Sequence, residues 1–383
     1  GVAFETPKLR IGFASSALDG LEEYADHLDT IGLVPKNESK TQSWWKEPIV
    51  CGWGQQCYMG DLFRVRSPRT RPKDNAVYQM CTQRTYDDIV DRLDEAGINW
   101  TTLVIDARWT ISSGTKDVDV GRWPDLPGFI ARMHERDKKV LLWWGPWDFE
   151  GLPDDYCIEL VKGYESHPGN RPGRFAKFGA SPGPRAICPD PCNPYFQELI
   201  RQRIRFFLSD EEGCCNADGL KVDHVSACPG SYGLNYNSIT ADRKYGIDLL
   251  HMHLRHLYAC AKEFDESCLI IGQSPNPYFA DCQDLVRLGD IYSGEPSVVR
   301  EMIRRASVAQ VSRSAFGLDT DGWPMPSIAA MEEYSQYQAQ LGTPSIYYSE
   351  ALDTTAERVT NEVLRRVQSN WRKAENHVLP YNE

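Results

Sequence analysis

The amino-acid order predicts an α/β fold of the closed (β/α)₈ type, the TIM barrel. Three observations carry the prediction. Eight short apolar runs, each bounded by turn residues, read as buried strands. Segments with apolar residues at helical spacing separate most of them, and such alternation makes a parallel array. Carboxylates gather at the C-terminal ends of several runs, the rim where barrels of this kind place their chemistry. The alternative is a doubly wound open sheet, which wants a glycine-rich phosphate loop after an early strand; none is visible. The 383 residues suit one barrel, and 41% hydrophobic with 25% charged residues supply an ordinary soluble core. Residues 1–45 read as a preamble left from a flanking domain, and 46–383 as the barrel, consistent with an excised catalytic domain.

The preamble offers a strand at Ile11–Ala14, an amphipathic helix from Leu18 to Ile31 and a polar linker from Lys36 to Ser43. Pro48–Trp53 is the first barrel strand, followed by a polar loop from Tyr58 to Met80. Ile89, Leu93 and Ala96 set a helix over Tyr86–Ala96 that Gly97 ends. Thr102–Asp106 is the second strand, Asp125–Lys138 a helix, and Lys139–Trp144 the third strand. A long helix over Cys192–Glu212 leads into the fourth strand, Leu220–Asp223. Arg243–Phe264 is helical, and Cys268–Gly272 and Asp284–Asp290 are the fifth and sixth strands. Val298–Val311 is the next helix, Ala315–Asp319 the seventh strand, Ser327–Leu341 a helix, Pro344–Tyr348 the eighth strand, and Thr354–Asn376 a closing helix.

A net charge of −12 argues against nucleic acid as a partner. Eleven Trp and eighteen Tyr, several at strand ends, favour a ligand with flat, partly polar faces such as a carbohydrate. Twelve cysteines point to disulfides in a secreted or lumenal protein. Cys51 with Cys57, Cys188 with Cys192, and the neighbours Cys214 and Cys215 are the pairing candidates. The cysteines and histidines lack zinc-ligand spacing. The sequence shows neither a signal peptide nor an apolar run able to span a membrane.

The chain is organised around Ala217-Asp-Gly-Leu-Lys-Val-Asp-His-Val225. Lys221 and Asp223 share one side of a strand, and a cation beside a carboxylate favours the ionised form a nucleophile requires. Asp106, Asp223, Asp290 and the pair Asp319 and Asp321 all end apolar runs. Trp109, Trp143, Trp144, Trp147 and Trp323 fall on the same rim. Paired acids beside aromatic rings suit glycoside hydrolysis. His251-x-His253-x-x-His256 lies mid-helix and reads as a helix face, not a metal site. His224 should point away from Asp223 and pack against a helix.

These residues resemble the α-galactosidase-type glycoside hydrolases, the clan that also holds α-glucosidases and raffinose-synthase-like enzymes. Lys221-Val-Asp223 is similar to the family's Lys-x-Asp, Ile105-Asp-Ala-Arg-Trp109 to its strand-two Asp and Trp, Val140–Pro146 to its strand three, and Arg287-Leu-Gly-Asp290 to its Arg-x-x-Asp. The resemblance implies a retaining α-glycosidase acting on an α-galactoside- or α-glucoside-like sugar without metal or organic cofactor. It implies Asp223 as nucleophile, kept ionised by Lys221, and Asp290 as acid/base. Asp106, Trp109, Trp143, Trp144, Lys221, Gln273, Arg287 and Asp321 would bind substrate. Two departures stand out. Ala107 replaces a second acid, and Gly272-Gln-Ser-Pro replaces a glycine- and cysteine-rich motif. A transglycosylase and a sugar-binding barrel without catalysis are the alternative readings.

Overall fold

The computed structural model describes residues 9–37, 40–67, 76–160, 187–225, 228, 234–235, 244, 246–291, 297–311 and 317–373. Eight strands make the barrel: β1 (Ile49–Cys51), β2 (Thr102–Ile105), β3 (Lys139–Trp144), β4 (Gly219–Val222), β5 (Leu269–Gly272), β6 (Leu285–Arg287), β7 (Gly317–Asp319) and β8 (Ser345–Ile346). All pair in parallel in the order β7-β6-β5-β4-β3-β2-β1-β8. A parallel bridge from Asp319 to Thr343, just ahead of β8, closes the ring. That closure excludes the open sheet. β1, β2, β4, β5 and β6 are buried at every position, as strands with side chains packed on both faces must be. Of the expected elements, Arg243, Ala315-Phe316 and residues 374–376 lie outside the described residues, as do parts of the preamble, the linker and the Tyr58–Met80 loop.

The predicted helices form, although the closing one spans Asn361–Lys373 instead of starting at Thr354, and side-chain caps set the starts of several. The Thr82 hydroxyl accepts from the Thr85 N–H at 3.1 Å and starts the helix Gln83–Ala96, which ends at Gly97. Asp125 caps Leu126–His134 through the Gly128 N–H at 2.9 Å, and Ser327 caps Ile328–Leu341 through the Ala330 N–H at 3.1 Å. Between β5 and β6 the described chain makes only a short 3₁₀ turn, Pro277–Phe279. The helix Ala17–Thr30 packs on that turn and on Val298–Val311, so a helix from the start of the sequence occupies the outer layer there.

Several expectations are corrected. Ile11–Ala14 is not a strand: Ile11 and Phe13 are exposed and pair with no strand among the described residues. No disulfide joins any of the twelve cysteines, so none of the three candidate pairs forms. The side chains serve separate neighbours: Cys51 Sγ points at Asp106 and Lys221, whereas Cys57 is buried in the helix Trp53–Met59. That helix, a hairpin of Thr110–Ser112 with Asp117–Val118, and a small sheet of Cys157–Leu160, Ile187–Pro189 and Leu234–Asn235 lack counterparts in the sequence reading. All of them sit in connections that leave strand C-termini, the rim that carries the site.

Gly219 shows how tightly β4 is seated. Its φ is +149°, and a Cβ there would lie 2.0 Å from the Leu269 carbonyl oxygen, so only glycine lets β4 pair with β5 at this register. In the described residues no helix is long and apolar enough to cross a membrane.

Candidate active site

β4 brings two charges to the rim. Lys221 Nζ lies 2.6 Å from Asp106 Oδ2, at the end of β2, and 3.4 Å from Cys51 Sγ, in β1. The ion pair is buried on both sides. Burial alone would disfavour the ammonium, but Asp106 and Cys51 outweigh it and raise Lys221 above its ordinary value. Asp106 is held from behind, its N–H donating to the Tyr86 hydroxyl at 2.7 Å, which donates in turn to Gln56 at 2.8 Å. A buried pair of this kind is weak evidence for stability, and its place at the floor of a cavity gives it a use.

Asp223 follows β4, and its N–H extends the ladder to the Trp144 carbonyl at 3.0 Å. One carboxylate oxygen accepts from the Trp143 indole at 3.1 Å. The other accepts from Arg287 at 3.2 Å and from the His224 N–H at 2.8 Å. Burial pushes this carboxyl up, yet Arg287, His224 and Lys221, with the Trp143 hydrogen bond, hold it well below the usual carboxylate range. The direct cation of Asp223 is therefore Arg287, and Lys221 acts at longer range while it grips Asp106.

Arg287, at the end of β6, is the hub. Its Nη1 donates to Asp290 at 2.9 Å and to Asp321 at 2.5 Å, and its Nη2 to Asp223. Gly289, with φ +85°, turns the chain so that Asp290 returns to the guanidinium three residues back. Burial pushes Asp290 up, Arg287 works against it, and Asp321 and Asp223 add to the rise. Its side chain is 37% exposed, so solvent moderates the effect. Asp321 is fully buried behind Arg287, with Oδ1 accepting from the Trp323 N–H at 2.9 Å and from the Gly322 N–H at 2.5 Å.

Asp106, Lys221, Asp223, Arg287 and Asp290 border a cavity of about 140 Å³ at the C-terminal rim, with Trp53, Tyr78, Ala107, Arg108, Trp143, Asp148, His224 and Trp323 completing its wall, whereas Asp321, expected to bind substrate, stays behind Arg287 and outside the lining. Of the residues expected to bind substrate, Asp106, Trp143, Lys221 and Arg287 line it, as do both expected catalytic acids. Trp109 and Trp144 do not. Trp109 donates to the Trp143 carbonyl at 3.0 Å and packs edge-on against Phe207, while Trp144 is wholly buried under Lys116, 4.8 Å from its ring. β3 alternates, so of the adjacent Trp143 and Trp144 only Trp143 can face the cavity. Trp147 is likewise buried, donating to the Val225 carbonyl at 3.2 Å. Gln273 is half-buried beyond β5 and outside the lining.

His224 corrects the expectation directly. Its φ of 58° breaks strand alternation after β4 and turns the ring onto Trp143, centroids 5.5 Å apart, in the cavity wall. Arg108 escaped notice for the same reason: its φ is 79°, and it stacks 5.0 Å over Tyr78 while donating to Glu150 at 2.6 Å. Asp148 carried one signal, its place in the loop just after β3. The three helix histidines diverge, His251 to Asp281, His253 to the Pro146 carbonyl and His256 to the Gln197 carbonyl. Among the described residues His251, Asp281 and Cys282 form a compact group, but Arg255 already pairs with Asp281.

A larger cavity, about 610 Å³, opens at the opposite end of the barrel between Trp45, Pro48, Leu285, Gly317 and Trp371. It borders strand N-termini, where residues serve stability, so the chemistry belongs to the smaller one. Asp284 lies at that end, bound by Tyr258 at 2.7 Å and Lys262 at 2.9 Å.

Residues 73–269, just over half of the chain, match the model of the glycosyl hydrolases family 31 TIM-barrel domain. The solved structures similar in fold include the following two. A cycloalternan-degrading enzyme from Trueperella pyogenes, in complex with a covalent intermediate, superposes with a TM-score of 0.60 at 17% identity over 95% of this chain and 50% of that one. An α-galactosidase from Thermus thermophilus, in complex with stachyose, gives 0.56 at 15% identity over 92% of this chain and 68% of that one. The chain thus spans half the length of the first. No curated protein matches it in sequence.

Proposed function

The chain belongs to glycosyl hydrolase family 31 through its TIM-barrel domain, and from that premise we propose that it is a retaining α-glycoside hydrolase acting by double displacement. One observation carries the reading: Asp223 and Asp290 sit on the two terminal nitrogens of one guanidinium while their carboxyls are pushed in opposite directions. Two carboxyls driven apart in this way are suited to divide the roles of nucleophile and acid.

In the first step an Asp223 oxygen attacks the anomeric carbon, the bond to the leaving oxygen breaks, and the Asp290 proton passes to that oxygen. In the second, Asp290 takes a proton from water, the water oxygen attacks the anomeric carbon, and the bond to Asp223 breaks. Both displacements invert, so the product keeps the α configuration. Trp143 and the His224 N–H hold the nucleophile in one orientation, which is worth more in rate than in binding. Asp106 and Lys221, fixed on each other at the cavity floor, offer an acceptor and a donor to the hydroxyls of the bound sugar. The solved relatives act on cycloalternan and bind stachyose, which supports an α-glucoside or α-galactoside as the substrate class here.

A panel of nitrophenyl α-glycosides, followed by proton NMR of the first-formed sugar, tests the reading. It expects turnover of an α-gluco- or α-galactoside with initial α anomer. Initial β anomer would refute the double displacement. Turnover that gives a longer saccharide instead of free sugar would point to the transglycosylase, and binding without turnover to a non-catalytic barrel.

A further inference from the structure

Asp353 lies fully buried in the segment after β8, and no cation among the described residues pairs with it. Both of its oxygens are engaged. Oδ1 accepts from the Tyr348 hydroxyl at 2.7 Å and Oδ2 from the Trp323 indole N–H at 2.8 Å. Tyr348 is fixed in turn, accepting from the Met325 N–H at 3.0 Å, and Thr354 donates to the Met325 carbonyl at 2.5 Å. A buried carboxyl without a cation is costly, and what it holds here is a cavity wall.

The Trp323 indole lines the cavity, edge-on to Trp53 at 5.8 Å and beside Phe63 at 6.3 Å. Its backbone carbonyl accepts from the N–H of Ile291 at 2.8 Å, the residue after Asp290. The ring is thereby tied to the side of the cavity that holds the proton donor, where a leaving group must depart. We propose that Asp353 is a positioning residue that fixes the Trp323 indole as the platform for the leaving-group part of the glycoside, an inference that rests on the hydrolase reading above.

The titratable groups that face Asp353 are Cys57, from the helix Trp53–Met59, and Tyr348. Burial pushes thiol and phenol well above their ordinary values, so both stay neutral at working pH. Burial also pushes Asp353 up, to about 6, against the hydrogen bonds from Tyr348 and Trp323 that favour its anion. A carboxylate accepts a hydrogen bond more strongly than a carboxylic acid, so the grip on the indole tightens as Asp353 ionises.

The test uses the whole chain labelled with nitrogen-15 at tryptophan, the Trp323 indole resonance being the one missing in Trp323→Phe. That resonance should move with a midpoint near pH 6 in the wild type and stay still in Asp353→Asn. With an α-linked disaccharide, Asp353→Asn should raise KM about tenfold, the worth of one good hydrogen bond, while kcat changes less. Trp323→Phe should do the same and the double variant no more, since both act through one bond. A resonance that does not titrate in the wild type overturns the positioning role, as does an additive double variant. The indole titration is independent of turnover: if no glycoside is hydrolysed, the hydrolase reading fails while the titration still decides the positioning role.

Discussion

Replacing Arg287 with Met removes the cation shared by Asp223, Asp290 and Asp321 while keeping a long apolar stem in a nearly closed space. Two unit charges about 4 Å apart at an effective dielectric near 20 attract by about 4 kcal/mol, equivalent to about three pKa units. Asp223 keeps the Trp143 and His224 donors and the more distant Lys221, so its carboxyl should climb part of the way back toward the usual carboxylate range. The acid limb of the kcat/KM profile should then move up, because the proposed double displacement needs Asp223 ionised. Stability falls as well. Asp321 is wholly buried and loses its cation, a change worth about 3–5 kcal/mol. Spread over the unfolding entropy of a chain this size, that lowers Tm by about 4–6 °C at neutral pH. A carboxyl held low in the folded state stabilises above its unfolded value and loses that contribution as pH falls, so the wild-type advantage should shrink toward acid pH. Scanning calorimetry and pH–rate profiles for wild type, Arg287→Met and Arg287→Lys measure this. An Arg287→Met protein with unchanged Tm and an unmoved acid limb would show that the guanidinium is not what holds Asp223 ionised.

Further outcomes follow from single contacts. Asp290→Ala should cut turnover of natural glycosides far more than of nitrophenyl ones, and azide should restore the second step as an α-glycosyl azide; the same pattern in Asp284→Ala instead would overturn the choice of acid. Gly219→Ala should destabilise by several kcal/mol, since its Cβ meets backbone at 2.0 Å, and a Tm within a degree of wild type on thermal melting would contradict the β4–β5 register. Asp353, pushed up to about 6, costs stability as pH rises through that value. The Tm of Asp353→Asn relative to wild type should therefore improve between about pH 5 and 7.5, and a constant difference would count against burial as the cause.

The barrel was legible because each strand is a short apolar run and several helices carry their own caps, signals that lie within a few residues. Asp223, Asp290 and Asp106 were legible because they end such runs. The sequence reading failed where the backbone leaves regular geometry. His224 and Arg108 reverse direction through positive φ values, and strand alternation says nothing about residues beyond the last ladder bond. Lys221 was assigned to Asp223 because the two are near in sequence, whereas its hydrogen-bond partner, Asp106, comes from β2. Arg287 was found, but not its triple grip, because Asp321 arrives from beyond β7. Trp109 and Trp144 were placed at the site by their positions at strand ends and by the resemblance of those segments, and packing against Phe207 and Lys116 claimed them instead. The cysteine count suggested disulfides only because a count carries no information about direction.

The most direct test of the central claim is to identify the residue that becomes glycosylated. Protein incubated with a 5-fluoro-α-glycosyl fluoride, in the gluco and galacto forms, should lose activity as one sugar adds per chain. Peptide mass mapping should then find that sugar esterified to Asp223, and Asp223→Ala should take up none. A stable adduct on Asp290, Asp106 or Asp148 would contradict the assignment of the nucleophile, and inactivation without any covalent adduct would contradict double displacement itself.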